Sequence, residues 1–403
     1  MLPGGQAFLL TLVGRQEPQG SVGVRLLDSG EERILIRDAT HASYFEGMLV
    51  FARSGTLFAV PFDLQELAVT GTPMPVLQGV LFNATFGTTQ YAVSQTGQLA
   101  YASGASATGR LLSRIDRKGV TQLLDHPRRA YYMPRVSPDG QRLAVTILDE
   151  GAYSIWTTDE PGGSMTRRAE AGFDAVWSPD GRRLAYTIAR EGLDLAIMAS
   201  DGPGPPTLVV VDTAYKIPTS WTPDGDFVVF TRVDPAGSTG EDVYIAAVDG
   251  TGVRALARSR DNESGGVVSP NGEWFAYSLG GLTKSDVYMA SLRDPGRRWR
   301  VQAEGGYMPV WSRDGRELFF LTGTRRDRLM STAVSAGPDG LRLSRPELVF
   351  EQSMGGSIGF GLPRYDVTPD GEFVFATAEM ARPPTEIRMV LDWRAHLGRL
   401  LAR

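Results

Sequence analysis

The sequence has no cysteine and only three histidines, His41, His126 and His396. No cysteine means no disulfide, no thiol nucleophile and no thiolate-held metal. Three histidines far apart in the chain supply no His-rich metal site, so neither a metal nor another cofactor is expected. Lysine is rare, and nearly all the positive charge is arginine, interspersed with acids to a net charge of −5. Without a basic patch, nucleic acid is not an expected partner. No run approaches the roughly 18 apolar residues of a membrane span. The apolar opening, Leu2 to Leu10, lacks the basic stretch that precedes the core of a signal peptide, and it reads as a strand. So abrupt a start is expected of a piece of something longer, and a membrane would be reached only through a missing upstream segment. There is no glycine-rich phosphate loop leading to a lysine, no H-R-D-x-x-x-x-N and no D-F-G, so these residues cannot perform kinase chemistry.

Glycine (47) and proline (25) are plentiful across the 403 residues. That suits short strands joined by tight turns. One motif recurs: Val136-Ser-Pro-Asp-Gly140, Trp177-Ser-Pro-Asp-Gly181, Trp221-Thr-Pro-Asp-Gly225, Val268-Ser-Pro-Asn-Gly272, Trp311-Ser-Arg-Asp-Gly315 and Val367-Thr-Pro-Asp-Gly371. Weaker copies lie at Val93 to Gly97, Phe45 to Gly47 and Leu2 to Gly5. From Gly97 onward the glycines are 43, 41, 44, 47, 43 and 56 residues apart. A period of roughly 40–50 residues is that of propeller blades. The motif is mechanical: proline presets φ at the second position of a type I turn, Asp or Asn bonds its own backbone, and glycine takes the positive-φ site.

The flanks alternate as strands should. Leu143-Ala-Val145, Val228-Val-Phe230 and Leu318-Phe-Phe320 follow the turns. A third strand comes at Ile155-Trp156, Leu195 to Ile197, Val243 to Ile245 and Val287 to Met289. A more polar fourth resembles Val120 to Leu124. Four antiparallel strands per repeat define a blade, so the expected fold is all-β, a β-propeller of about eight blades. The alternative is a six-bladed ring with a partial second ring. The expected organisation is one propeller over 1–403, with weak early blades in 1–126, clear blades in 127–393 and a short tail in 394–403. The first unit lacks its innermost strand and the last its outermost, so one terminal strand is expected to complete the other end's blade.

These repeats resemble the WD40-like repeats of TolB-type propellers. Over nearly the whole chain the sequence is also similar to the C-terminal propeller region of bacterial transmembrane serine/threonine protein kinases. The residues that carry this likeness are Gly47 to Asp63, Arg114 to Gly119, Asp286 to Met289, Gly305 to Phe319 and Val390 to Trp393. In that family a kinase domain and a membrane helix precede a propeller outside the membrane. The resemblance implies a periplasmic or extracytoplasmic sensor or scaffold. A TolB-like periplasmic interaction protein is the neighbouring reading.

Candidate chemistry is thin. Gly355-Gly-Ser357-Ile-Gly359, followed by Asp370 and His396, has the chain order of an α/β-hydrolase, but the strand–turn–helix setting and the hydrolase domain are missing. The turn residues Asp139, Asp180, Asp224, Asp314 and Asp370 each sit alone in a hairpin, whereas a calcium loop converges several oxygens from one segment. The innermost strands offer Asp174 and Asp366 with Arg135, Ser220, Tyr307 and Arg364. A propeller hydrolase with axial acids is the competing reading, and it needs paired carboxylates that two distant blades do not obviously supply. The expected chain is therefore not an enzyme. It binds a protein, peptide or small ligand where inner strands converge on a central channel. Tyr132, Arg135, Asp174, Tyr307 and Arg364 are the candidate contacts, Tyr and Arg being favoured anchors.

Overall fold

The computed structural model describes the chain except residues 15–16, 54, 84–87, 104–109, 150–151, 160–162, 191, 203, 235–239, 282–283, 302–304, 324–326, 338–339, 353–364, 379–385 and 402–403. It divides into two units, one comprising Met1–Gly109 with Ala378–Arg403 and the other Arg110–Thr377.

The second unit carries the strong repeats. Its inner strands are Ala130–Val136, Gly172–Trp177, Tyr215–Trp221, Glu263–Val268, Tyr307–Trp311 and Tyr365–Val367. Each begins an antiparallel sheet, and the second and third sheets also share one parallel bridge, Leu193 to Tyr215. Every inner strand contacts the next, and the last contacts the first, so six blades close a ring. The sixth blade is composite. Tyr365–Val367 and Phe373–Ala378 come from the end of the unit, Arg110–Ile115 and Thr121–Leu123 from its beginning. The outer strand expected around Val120 to Leu124 therefore completes the blade of the last turn motif.

Alternation explains why the blades stack. In the third blade Val228 and Phe230 pack toward the second, while Val229 packs toward the fourth. In the fifth, Leu318 and Phe320 face the fourth and Phe319 faces the sixth. The composite blade meets the first through Leu112, Val374 and Ala376 against Tyr131, Val136 and Val145. Each buried phenylalanine contributes on the order of 2–3 kcal/mol.

The turn motif is built the same way five times, and the sixth, Thr368 to Glu372, closes one residue sooner, with Glu372 N donating to Thr368 Oγ1 at 3.0 Å. In the second blade Gly181 N donates to Ser178 O at 2.9 Å with glycine at φ 69°. Ser178 Oγ donates to Asp180 Oδ1 at 2.5 Å, and the same carboxylate accepts from Arg182 N at 3.0 Å. Arg183 N closes the loop onto Ser178 Oγ at 2.9 Å. Asn271 plays the part in the fourth blade.

The first unit holds three-stranded, five-stranded and two-stranded sheets, and a sheet in which Ile387–Val390 pairs with Leu99–Ala102 beside Tyr91–Val93. The segment expected to trail away after Trp393 is an α-helix, Trp393–Leu401. Asp392 caps it, its Oδ1 accepting from Ala395 N at 2.9 Å,. Trp393 and Leu397, one turn apart, enter the core of this unit beside Phe45, Val50 and Leu99,. No helix among the described residues is long and apolar enough to cross a membrane.

The turn carboxylates make a testable pH dependence. Asp139, Asp180, Asp224, Asp314 and Asp370 are all held below the usual aspartate value, first by the hydroxyl two residues before each. A depressed folded-state value gives stability that is present above the unfolded value, about 4, and is lost as pH falls through the folded one. The melting temperature is expected to drop below about pH 4. Replacing all five by Asn, which Asn271 already models, should flatten that drop. An unchanged acid profile in the five-fold variant would show that the carboxylates are not its source.

Candidate binding site at the channel mouth

A cavity of about 410 Å³ opens at the turn end of the ring. All six inner strands contribute to its wall, which places it on the axis: Arg135 and Val136, Val176 and Trp177, Thr219 to Trp221, Val267 and Val268, Val310 and Trp311, and Asp366. Pro138, Pro179, Pro223 and Pro270 of the turns add rings to its lip, and Arg313 stands where the fifth turn lacks proline.

Inter-blade hydrogen bonds set this wall. Trp177 Nε1 donates to Arg135 O at 3.0 Å, Trp221 Nε1 to Val176 O at 3.1 Å and Trp311 Nε1 to Val267 O at 3.1 Å. Each indole thus bonds the preceding blade just before its turn. Arginines brace two of these indoles from outside, Arg142 lying 4.5 Å from the Trp177 ring and Arg183 4.9 Å from that of Trp221,. Where the motif begins with valine, a side-chain oxygen takes the valine N–H instead. Val268 N donates to Ser220 Oγ at 3.1 Å, and Val136 N to Asp366 Oδ2 at 2.8 Å.

Below the wall the inner strands bulge. Met133, Asp174, Gly265 and Met308 adopt positive φ of 46°, 57°, 67° and 58° within register shifts of their strands,. Hydroxyls of the preceding blade satisfy three of the exposed N–H groups: Thr146 for Asp174 at 2.9 Å, Thr231 for Gly265 at 3.0 Å and Ser278 for Met308 at 3.1 Å.

Of the residues expected at a contact surface, Arg135 lines the cavity, as do Ser220 and Asp366. Arg135 is buried. Desolvation pushes its guanidinium below the ordinary arginine value, while Asp366 and Asp174 push it back up. Its Nη1 donates to Pro134 O at 2.9 Å. Asp174 does not line the cavity, though it and Asp366, from the second and sixth blades, both act on Arg135 of the first. Tyr132 does not line the cavity. It lies beneath the Arg110 guanidinium at 4.1 Å and packs by Met133 and Ile217. Tyr307 is buried between the fifth and sixth blades. Arg364 and the Gly355 to Gly359 segment lie outside the described residues. Sequence reasoning passed over Trp177, Trp221, Trp311 and Arg313. For Arg313 a signal existed, since among the six strong copies of the motif it alone replaces proline.

A closed ring of four-stranded blades around an axial cavity defines a β-propeller. Residues 92–314, more than half of the chain, match the TolB beta propeller domain, and the chain belongs to that family. No curated protein matches it. Among solved structures, it is similar to a protein described as TolB from Agrobacterium tumefaciens, with 18% identity, a TM-score of 0.52, and coverage of 66% of this chain and 97% of the other. It is also similar to TolB from Acinetobacter baumannii, with 13% identity, a TM-score of 0.45, and coverage of 76% and 81%. A periplasmic gluconolactonase from Pseudomonas aeruginosa is similar at 17% identity and a TM-score of 0.42, with coverage of 70% and 99%. These are likenesses of fold. Within the described residues no three histidine or acidic side chains gather as a metal site.

Asp366 carries much of this wall. Its carboxylate accepts from Val136 N and from Val367 N at 2.9 Å and stands beside Arg135. Asp366→Ala leaves a buried guanidinium without one counter-charge and two amides without acceptors. It should cost about 3–5 kcal/mol in urea unfolding, and Asp366→Asn less. A loss below about 1 kcal/mol for the alanine variant would contradict this structural role.

Proposed function

We propose that the chain is a non-catalytic binding propeller that takes a protein, peptide or small ligand at the turn-side mouth of its ring. We further propose that it works outside the cytoplasm as the sensor or scaffold part of a receptor-type serine/threonine kinase system. The observation that carries the binding reading is the axial cavity, to which every blade contributes wall. Its tryptophan and proline rings stand among Arg135, Arg313, Asp366 and several hydroxyls, so apolar surface and polar groups converge on one space, as they do in a recognition site,. Membership of the TolB propeller family supports an interaction role. The kinase and extracytoplasmic parts rest on the stretches Gly47 to Asp63 and Gly305 to Phe319, which resemble the corresponding region of membrane kinases.

The placement of Asp366 favours binding over hydrolysis. A glycoside hydrolase needs one carboxyl free to give a proton and another free to attack or to activate water. Each Asp366 oxygen accepts a backbone N–H, so this carboxylate serves to hold the wall.

A photo-crosslinking residue at Pro223 or Pro270, on the lip, should yield adducts with the bound partner in cells. One at Val253, exposed on an outer strand, should not. Equal labelling at all three, or labelling only at Val253, would move the binding surface away from the mouth. Activity on a hydrolase panel that disappears in Asp174→Asn and Asp366→Asn would overturn the non-catalytic reading.

A further inference from the structure

Five turn motifs of the ring have proline after the hydroxyl residue, and the fifth blade has Arg313. Four of those prolines put apolar rings on the lip of the cavity, beside the hydroxyls of Ser269 and Ser312. Arg313 puts a guanidinium there instead. Its Nε donates to Val367 O at 3.1 Å and its Nη2 to Val136 O at 2.9 Å, so the side chain spans the sixth blade to reach the first. It remains 35% exposed. Its nearest carboxylate, Asp366, is 3.5 Å away and already accepts two backbone N–H groups. No fork-to-fork pair forms, and among the described residues Nη1 of Arg313 bonds nothing.

The other polar groups of the wall are engaged. Ser220 Oγ accepts from Val268 N, Thr219 Oγ1 donates to Gly266 O, and Ser269 and Ser312 serve their turns. Arg313 thus presents unfilled donors of a fixed, planar and permanently charged group beside the proline rings of the lip. That geometry matches a carboxylate, which accepts two parallel N–H bonds.

We propose that the mouth recognises a carboxylate attached to an apolar body, with Arg313 holding the carboxylate and the proline lip holding the body. This rests on the reading of the mouth as the binding surface. The carboxylate can belong to a small acid or to the C-terminus of a peptide.

Trp177, Trp221 and Trp311 lie in the wall, so intrinsic fluorescence responds to an occupant there, and calorimetry gives the affinity. The probes for the full chain are 4-phenylbutyrate and its amide, and an N-acetylated peptide ending in leucine as free acid or amide. The free acids should bind at least about tenfold more tightly than the amides. Arg313→Pro, which installs the residue of the other motifs, should abolish that preference. Arg313→Lys should weaken it, because lysine lacks the fork. Arg313→Gln, which retains donors without charge, separates loss of charge from loss of the two carbonyl bonds, and unfolding curves check that each variant is folded. Preference for the acid in the phenylbutyrate pair alone would assign the site to small acids, and in the peptide pair alone to C-termini; each supports the proposal. Acid and amide binding alike would overturn it while leaving the mouth as a binding surface. Acid binding unchanged in Arg313→Pro would overturn it too, as would no response to any probe at millimolar concentration. In that last case lip crosslinking still decides the mouth reading separately.

Discussion

Val228 and Phe230 lie on one face of their strand, Val229 on the other, and none of the three is reached by water. A sheet with two apolar faces has no side to offer solvent. It must be sandwiched, and its neighbours face the same requirement. A row of such sheets ends only by meeting itself, and the ring is that solution. Everything at the axis follows. Closure sets the sixth blade beside the first, carries Asp366 to Val136, and lets Arg313 reach across both.

The strand order, the turns and the inner positions were legible because each has a local cause. The hydroxyl–proline–acid–glycine sequence forms its own hydrogen-bonded loop without help from the rest of the chain. Alternation around it tells which residues are buried. What could not be read locally is pairing. The turn at Gly97 is spaced from Gly140 much as Gly140 is from Gly181, yet it belongs to the first unit, with Leu99–Ala102 paired to Ile387–Val390. Glycine spacing carries no mark of that boundary, so counting turns leaves about eight blades, or a six-bladed ring with a partial second one, both open for the chain, and Arg110–Thr377 closes six.

The candidate site divides along the same line. Arg135, Asp366 and Ser220 were recognisable as inner-strand polar residues next to turns. Tyr132 and Tyr307 share that description, but the bulges at Met133 and Met308 separate them from the mouth. A bulge depends on a hydroxyl from the neighbouring blade, such as Ser278 for Met308, so it leaves no trace in the strand's own sequence. Arg313 was visible as a departure from proline. Its reach to Val367 and Val136 needed the closed ring.

Both units are completed by strands from opposite ends of their own sequence. Arg110–Ile115 awaits Phe373–Ala378, and Leu99–Ala102 awaits Ile387–Val390. A ribosome delivers the chain from its amino end, so each early strand leaves the exit tunnel long before its neighbour exists. During that interval their edges stand open, and an unpaired edge is a template for foreign strands. The two closures therefore wait until those later strands emerge, the inner one first, and a message truncated before Phe373 would leave both units open at once.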